Sequence, residues 1–251
     1  MQQKKVRVLV LRAAGINCDA EMVTAWEKAG AEVDLKHINE IAGPQANTNL
    51  DDYSILGIPG GFSYGDNLGA GKLLANELIF RLKEPFSRFV ESGRPVLGVC
   101  NGFQILAKTG VFGDMTLLPN ESGKFECRWT SLQNTGSNSI FLRGIDQIYL
   151  PVAHGEGRVA FGDGAKAEVS LKYCDPDGNT QAAYPWNPNG SVSNAGGVSN
   201  ASGTVIGMMP HPERFVSAWQ HPNWTRQKTK EVEGAGLKFF KNAVDYAGRE
   251  L

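Results

Sequence analysis

Apolar and polar positions along the chain follow two periods in turn. Val6 to Leu11 (VRVLVL) is an almost continuous apolar run, the pattern of a strand buried on both faces of a parallel sheet. Cys18 to Ala29 changes to helical spacing, with Met22, Val23, Trp26 and Ala29 on one face and Gly30 as its stop. Glu32 to Ile38 alternates as a second strand, Gly43 to Asp52 is a polar loop, and Tyr53 to Ile58 (YSILGI) is a third strand. Lys72 to Ser92 carries Leu73, Leu74, Leu78, Ile79, Leu82, Phe86, Phe89 and Val90 at helical spacing, interrupted at Pro85 and closed by Gly93. Val96 to Val99 is a fourth apolar strand, and an amphipathic helix starts directly behind Cys100. This alternation predicts an α/β fold built on a flavodoxin-like, doubly wound, mostly parallel sheet. Ligands of such sheets sit at the carboxyl ends of the strands, where both Pro59-Gly60-Gly61 and Cys100 fall.

After Thr109 the pattern turns mostly β. Lys124 to Gln133, Gln147 to Val152, Arg158 to Phe161, Ala167 to Tyr173, Gln181 to Tyr184 and Gly203 to Met208 read as short strands. They predict a mixed β extension in the second half, laid on the same core. Asn187 to Ser202 is rich in Asn, Ser and Gly, and its Val192 and Val198 predict ordered turns rather than low complexity. Gly236 to Ala247 is a last helix that buries Leu237, Phe240, Ala243 and Val244. No linker or repeat divides the chain, so one domain over residues 1–251 is expected.

Composition narrows the classes. Lys plus Arg number 25 against 26 Asp plus Glu, a net charge of −1, which offers no basic surface for nucleic acid or membrane. The short cluster Arg226-Gln227-Lys228-Thr229-Lys230 reads as a solvated face. The four cysteines have no C-x-x-C spacing, so neither a metal site nor a disulfide framework is expected. The polar start shows no signal peptide, and no apolar run reaches the roughly 18 residues of a membrane span. A reduced, cytoplasmic protein is expected.

The candidate chemistry centres on Gly98-Val99-Cys100-Asn101-Gly102. This G-x-C-x-G is the cysteine form of the nucleophile elbow, a sharp strand-to-helix turn that lifts the nucleophile off the sheet. The glycines relieve clashes in that turn, and the helix N-terminus beneath Cys100 favours a thiolate. A nucleophilic thiol needs a base, and the base an orienter. Among the four histidines, His211 in Pro210-His211-Pro212-Glu213 has rigid flanks and a carboxylate two residues on. Glu213 can accept a hydrogen bond from the Nδ1–H, fix the tautomer and leave Nε2 to face a thiol, so Cys100, His211 and Glu213 form a complete triad. The N–H of Asn101 and that of Gly61 are candidate oxyanion donors. Cys18, Cys127 and Cys174 are expected to matter for stability only. Gly65 to Leu73 imitates a phosphate loop, but Asp66 and Leu73 stand where a Walker A motif needs Gly and Ser or Thr.

The elbow with the distal His211-Pro212-Glu213 resembles the class I (triad) glutamine amidotransferases. Ile58 to Asp66, Pro151 to Gly157, Asn189 to Val192 and Gly207 to Arg214 are similar to the glutaminase subunits of phosphoribosylformylglycinamidine synthases, of de novo purine biosynthesis. The elbow by itself also fits flavodoxin-like cysteine hydrolases, which lack the His-Pro-Glu, and a dead binding subunit would need a broken triad. The resemblance implies that Cys100 attacks the side-chain amide of glutamine, that His211 shuttles protons and that Glu213 orients it. It implies that Gln104 and the backbone around Gly155 and Glu156 hold the substrate. It implies no cofactor or metal on this chain. By the same resemblance, the ammonia is expected to pass to a synthetase subunit that uses ATP and magnesium, in a complex with a small accessory subunit. The family's Leu-Pro-Gly-Ser is replaced here by Leu11 to Ile16, and Phe215 to Glu233 is longer than expected. The latter is expected to be a surface element whose Trp219 and Trp224 meet a partner or pack on their own loop.

Overall fold

The computed structural model describes residues 5–44, 46–226 and 232–251. Its elements are β1 (Arg7–Arg12), α1 (Asp19–Lys28), β2 (Glu32–His37), α2 (Ile38–Ala42), β3 (Ile55–Ile58), α3 (Lys72–Asn76), α4 (Lys83–Glu91), β4 (Val96–Val99) and α5 (Asn101–Thr109). They continue with β5 (Gly113–Pro119), β6 (Glu126–Asn134), β7 (Gln147–His154), β8 (Glu156–Ala165), β9 (Glu168–Cys174), β10 (Ala195–Ser199), β11 (Val205–Met208) and α6 (Leu237–Glu250). A 9-stranded sheet runs in the order β2-β1-β3-β4-β11-β10-β9-β6-β7, and β5 pairs with β8 in a separate 2-stranded sheet. The pairs from β2 to β11 are parallel, and the pairs from β11 to β7 are antiparallel. The parallel half therefore has the 2-1-3-4-5 order of flavodoxin-like sheets, with the antiparallel strands added at its β11 edge.

Small residues decide how closely the helices approach this sheet. Gly57 of β3 lies beneath α1, where an added Cβ would come within 2.8 Å of Met22 Sδ. Gly207 of β11 lies beneath α5, where a Cβ would come within 2.1 Å of the Phe103 ring. Parallel neighbours in register point the same way, and Gly57, Leu97 and Ile206 are in register. Gly207, one residue on, faces the other side, so α1 and α5 cover opposite faces. Alongside α1, α6 packs Phe240 edge-on against Trp26 at 4.8 Å between ring centroids. The strands between these layers are buried on both faces, which is why they read as unbroken apolar runs.

Several expectations need correction. Gln181 to Tyr184 forms turns instead of a strand. Ala195–Ser199, expected as turns, is the buried strand β10, whose short Ala and Gly side chains carried no alternation to read. β5 was not expected, although Met115 and Leu117 alternate inward along it. α2 was not expected either; it is only 5 residues long and is fixed by a capping box between His37 and Glu40. Pro85 interrupts nothing, because it stands in the first turn of α4, where its missing N–H is harmless. The helical stretch breaks earlier, at the π-helical turn Glu77–Arg81.

Phe215 to Glu233 is only partly a surface element. Phe215, Val216 and Ser217 are buried, whereas Trp219 and Trp224 are exposed. His221 packs against Trp129, Tyr149 and Phe215, with ring centroids 5.5–5.8 Å apart. Residues 227–231 of that segment, which include the basic cluster beyond Arg226, lie outside the described residues. Among the described residues no helix is long and apolar enough to cross a membrane.

Candidate active site

Register brings the site together. β4 and β11 are adjacent and parallel, with Val99 opposite Met208. Cys100 follows the one and His211 follows the other by three residues, so both emerge at the same carboxyl edge. The Cys100 N–H donates to Met208 O at 2.8 Å, and the His211 N–H donates to Pro151 O at 2.8 Å. Cys100 has φ 52° and ψ −106°, a positive φ that an L residue rarely adopts. The elbow is this tight because α5 enters hard against the sheet. A Cβ on Gly102 would come within 1.9 Å of Ile58 O, and one on Gly98 within 2.7 Å of Gly102 O.

Cys100, His211 and Glu213 are all buried. The Nδ1–H of His211 donates to Glu213 Oε1 at 2.6 Å. His211 Nε2 is buried and makes no hydrogen bond, and the second carboxylate oxygen of Glu213 is likewise unpartnered. Burial pulls the His211 pKa down, but the Glu213 carboxylate and the nearby thiols of Cys100 and Cys18 outweigh it, and the net value lies well above 6.5. A carboxylate at hydrogen-bond distance in a buried site accounts for that sign. The Cys100 thiol points toward Ala153 O at 3.6 Å.

Two cavities meet at Cys100. The larger, about 330 Å³, is lined by Cys100, Gly61, Asp66, Gln104, Gly155 and Glu156 among others. The smaller, about 180 Å³, is bounded by Asn17, Cys18, Gly61, Cys100, His211 and Arg214. Gln104 is held rigidly in the larger: its Nε2 donates to Glu156 O at 2.5 Å, and its Oε1 accepts from Asn101 Nδ2 at 2.9 Å. The same Asn101 amide donates to Asp66 Oδ1 at 3.2 Å, and its oxygen accepts from Ser63 N at 3.0 Å. Burial raises the carboxyl pKa of both Asp66 and Glu156. The loop that imitates a phosphate cradle is thus a wall of this cavity.

Asn101 opens α5, so its N–H is among the first-turn donors that have no intrahelical acceptor. Gly61, which lines both cavities with Cys100, has φ 145°, a conformation open to glycine alone. A Cβ there would strike Gly15 O at 2.7 Å and Asn17 N at 2.8 Å. The altered segment Leu11 to Ile16 is what holds this loop. Gly15 O accepts from Phe62 N at 2.8 Å, and Ala14 O accepts from Tyr64 N at 2.7 Å.

Two residues of the pocket carry no role in the sequence reading. His154, at the end of β7, lines the larger cavity with Nδ1 3.0 Å from Asn120 Oδ1 and Nε2 unpartnered. Burial, with a contribution from His211, pushes its pKa down to about 4, so it is neutral at pH 7. Cys18, expected to be structural only, has its thiol in the triad's own pocket. Arg214 Nη2 donates to it at 3.0 Å. No local signal marked Cys18, because its neighbours in space come from the other end of the chain. Cys127 is exposed and Cys174 is buried in β9, both outside these cavities.

A family model for the CobB/CobQ-like glutamine amidotransferase domain matches residues 5–247. The chain is 47% identical to the phosphoribosylformylglycinamidine synthase subunit PurQ of Dehalococcoides mccartyi, over 97% of this chain and 98% of that one. It is 38% identical to the subunit of the same name from Methanococcus maripaludis, over 96% and 97%. Among solved structures it superposes on a chain of PurLQS from Thermotoga maritima with a TM-score of 0.76 and 32% identity, covering 96% of this chain and 99% of that one.

Proposed function

The chain belongs to the CobB/CobQ-like glutamine amidotransferase family, and from that premise we propose that it is the glutamine-hydrolysing subunit of a phosphoribosylformylglycinamidine synthase. One observation carries the chemistry: a cysteine on a strained strand-to-helix turn shares a buried pocket with a histidine whose other nitrogen is held by a carboxylate.

Glutamine lies in the larger cavity, held by Gln104 and the backbone of Gly155 and Glu156, with its side-chain amide at Cys100. The carboxylates of Asp66 and Glu156 on the wall suit the ammonium group of an amino acid. The Cys100 sulfur adds to the amide carbon, and the resulting oxyanion takes hydrogen bonds from the N–H groups of Asn101 and Gly61. His211 gives a proton to the departing nitrogen, the C–N bond breaks, and ammonia leaves a thioester on Cys100. Water then attacks the thioester, His211 takes its proton, the C–S bond breaks and glutamate is released. Glu213 fixes the His211 tautomer and offsets the positive charge that forms on the ring.

The ammonia serves a separate synthetase subunit, in a cytoplasmic complex with a small accessory subunit. There it converts formylglycinamide ribonucleotide to formylglycinamidine ribonucleotide. ATP and magnesium act on that partner, and this chain binds neither. A glutamine-like electrophile should modify Cys100 in the intact chain, and Cys100→Ala should abolish ammonia release. Normal turnover by Cys100→Ala would refute the mechanism.

A further inference from the structure

The pocket that holds the triad contains a second buried thiol with no place in the hydrolysis. Cys18 Sγ, an imidazole nitrogen of His211 and a carboxylate oxygen of Glu213 all lie within 4.8 Å of one another. Cys100 closes the ring. A methyl group placed on Gly60 would lie 3.2 Å from the Cys18 sulfur, 3.3 Å from Cys100 Cβ and 2.9 Å from His211 Cε1. Around that small volume sits a ring nitrogen, His211 Nε2, that is buried and has no hydrogen-bond partner.

We propose that this pocket captures a thiophilic divalent cation of the zinc or cadmium class, held by the sulfurs of Cys18 and Cys100 and by His211 Nε2, and that its occupancy silences the triad. Two soft thiolates and an imidazole select such ions over magnesium or calcium. Metal bonds of about 2.0–2.3 Å bring neighbouring donors to about 4 Å apart, so modest side-chain rotation completes the ring. The fourth position is left to water. Glu213 on Nδ1 supplies the carboxylate–histidine arrangement that fixes the tautomer and makes Nε2 the metal-facing atom. Arg214 donates to the Cys18 sulfur and fixes where it sits beside the ring. Each thiol releases its proton on coordination, so capture tightens as pH rises. A bound ion occupies both the sulfur that attacks and the nitrogen that moves the proton.

The capture stands on these side chains alone; the loss of activity rests on the glutaminase reading. Cadmium is therefore titrated into the full chain carrying Cys127→Ser, which removes the exposed thiol. The cadmium–thiolate ultraviolet band and glutamine hydrolysis are followed together. The band should saturate at one ion per chain, hydrolysis should vanish with the same midpoint, and a chelator should reverse both. Adding Cys18→Ser should shrink the band and raise the midpoint at least about 10-fold, since even outer-shell changes cost 10–100-fold in metal affinity. If that variant does not fold, His211→Gln tests the same site through its nitrogen ligand, with the band as readout. A band and midpoint unchanged by Cys18→Ser, or by His211→Gln, would overturn the proposal. Binding as described in a chain that never hydrolyses glutamine, even with its synthetase docked, would leave the cation site standing and remove the glutaminase reading instead.

Discussion

Cys100 bears the strain of its elbow in its own backbone, a conformation that costs of order 1–3 kcal/mol and persists only where the surroundings enforce it. The proposed mechanism gives His211 and Glu213 unequal roles. In that mechanism His211 moves protons, so His211→Ala should lose roughly 10²–10⁴ in the rate of glutamine hydrolysis. Glu213→Gln removes only orientation and charge balance and should lose less. A Glu213 variant consistently slower than the His211 variant, at equal folded fraction, would reverse these roles. His154 makes a pH prediction. Its native pKa of about 4 lies below the 6.5 of the unfolded chain, so the unfolded state binds the extra proton between those values. Stability should therefore fall as pH drops from about 6.5 toward 4, by on the order of 3 kcal/mol. Denaturant titrations at both ends of that window, repeated with His154→Gln, isolate the effect; an acid loss equal in the variant would rule it out. The candidate triad was legible because its members stand in short local patterns, G-x-C-x-G and Pro-His-Pro-Glu. The placement of Cys18 and His154 was not, because it arises only when Arg214 and His211 fold back against residues far away in the chain.

At the scale of elements, the parallel strands declared themselves through unbroken apolar runs, and α5 through its start behind Cys100. β10 did not, because it is built largely of Ala and Gly, and its burial comes from neighbouring strands rather than from its own side chains. The junction of β4 and α5 should be the element least tolerant of added volume. Gly102→Ala drives a Cβ into Ile58 O, so α5 must shift and carry Cys100 and Asn101 with it. Such a displacement should cost roughly 10²-fold in rate and about 1–3 kcal/mol in stability. Gly248→Ala is the contrasting case. It stands on the exposed side of α6 with its nearest neighbour, Val6, at 3.6 Å. The lost backbone freedom of the unfolded chain should make it more stable by about 0.5 kcal/mol, with unchanged rate. Thermal melts and rates on both variants check the pair, and a Gly102→Ala enzyme of normal rate would contradict the elbow argument.

At the scale of the whole molecule, the parallel half of the large sheet supplies the elbow, and antiparallel strands of both sheets supply most of the far wall of the larger cavity. β7 carries Ala153 and His154, β8 carries Glu156, and Gly155 joins them. That division explains why half of the fold looks like a flavodoxin and the rest does not. The sheet extension was legible as a run of short strands, but not its order, because pairing across the sheet is set by contacts distant in sequence. The family match spans residues 5–247, and the segment that imitates a phosphate loop forms part of the cavity wall. Ammonia in water at neutral pH is mostly ammonium and a poor nucleophile, so the glutaminase should be quiet until its partner is docked. The most direct test measures glutamine hydrolysis and amidine formation by the purified chain, then again with the synthetase, ATP and formylglycinamide ribonucleotide present. The account predicts a large rise in hydrolysis, with amidine made only in the complex; ATP-dependent amidine formation from glutamine by this chain alone would contradict it.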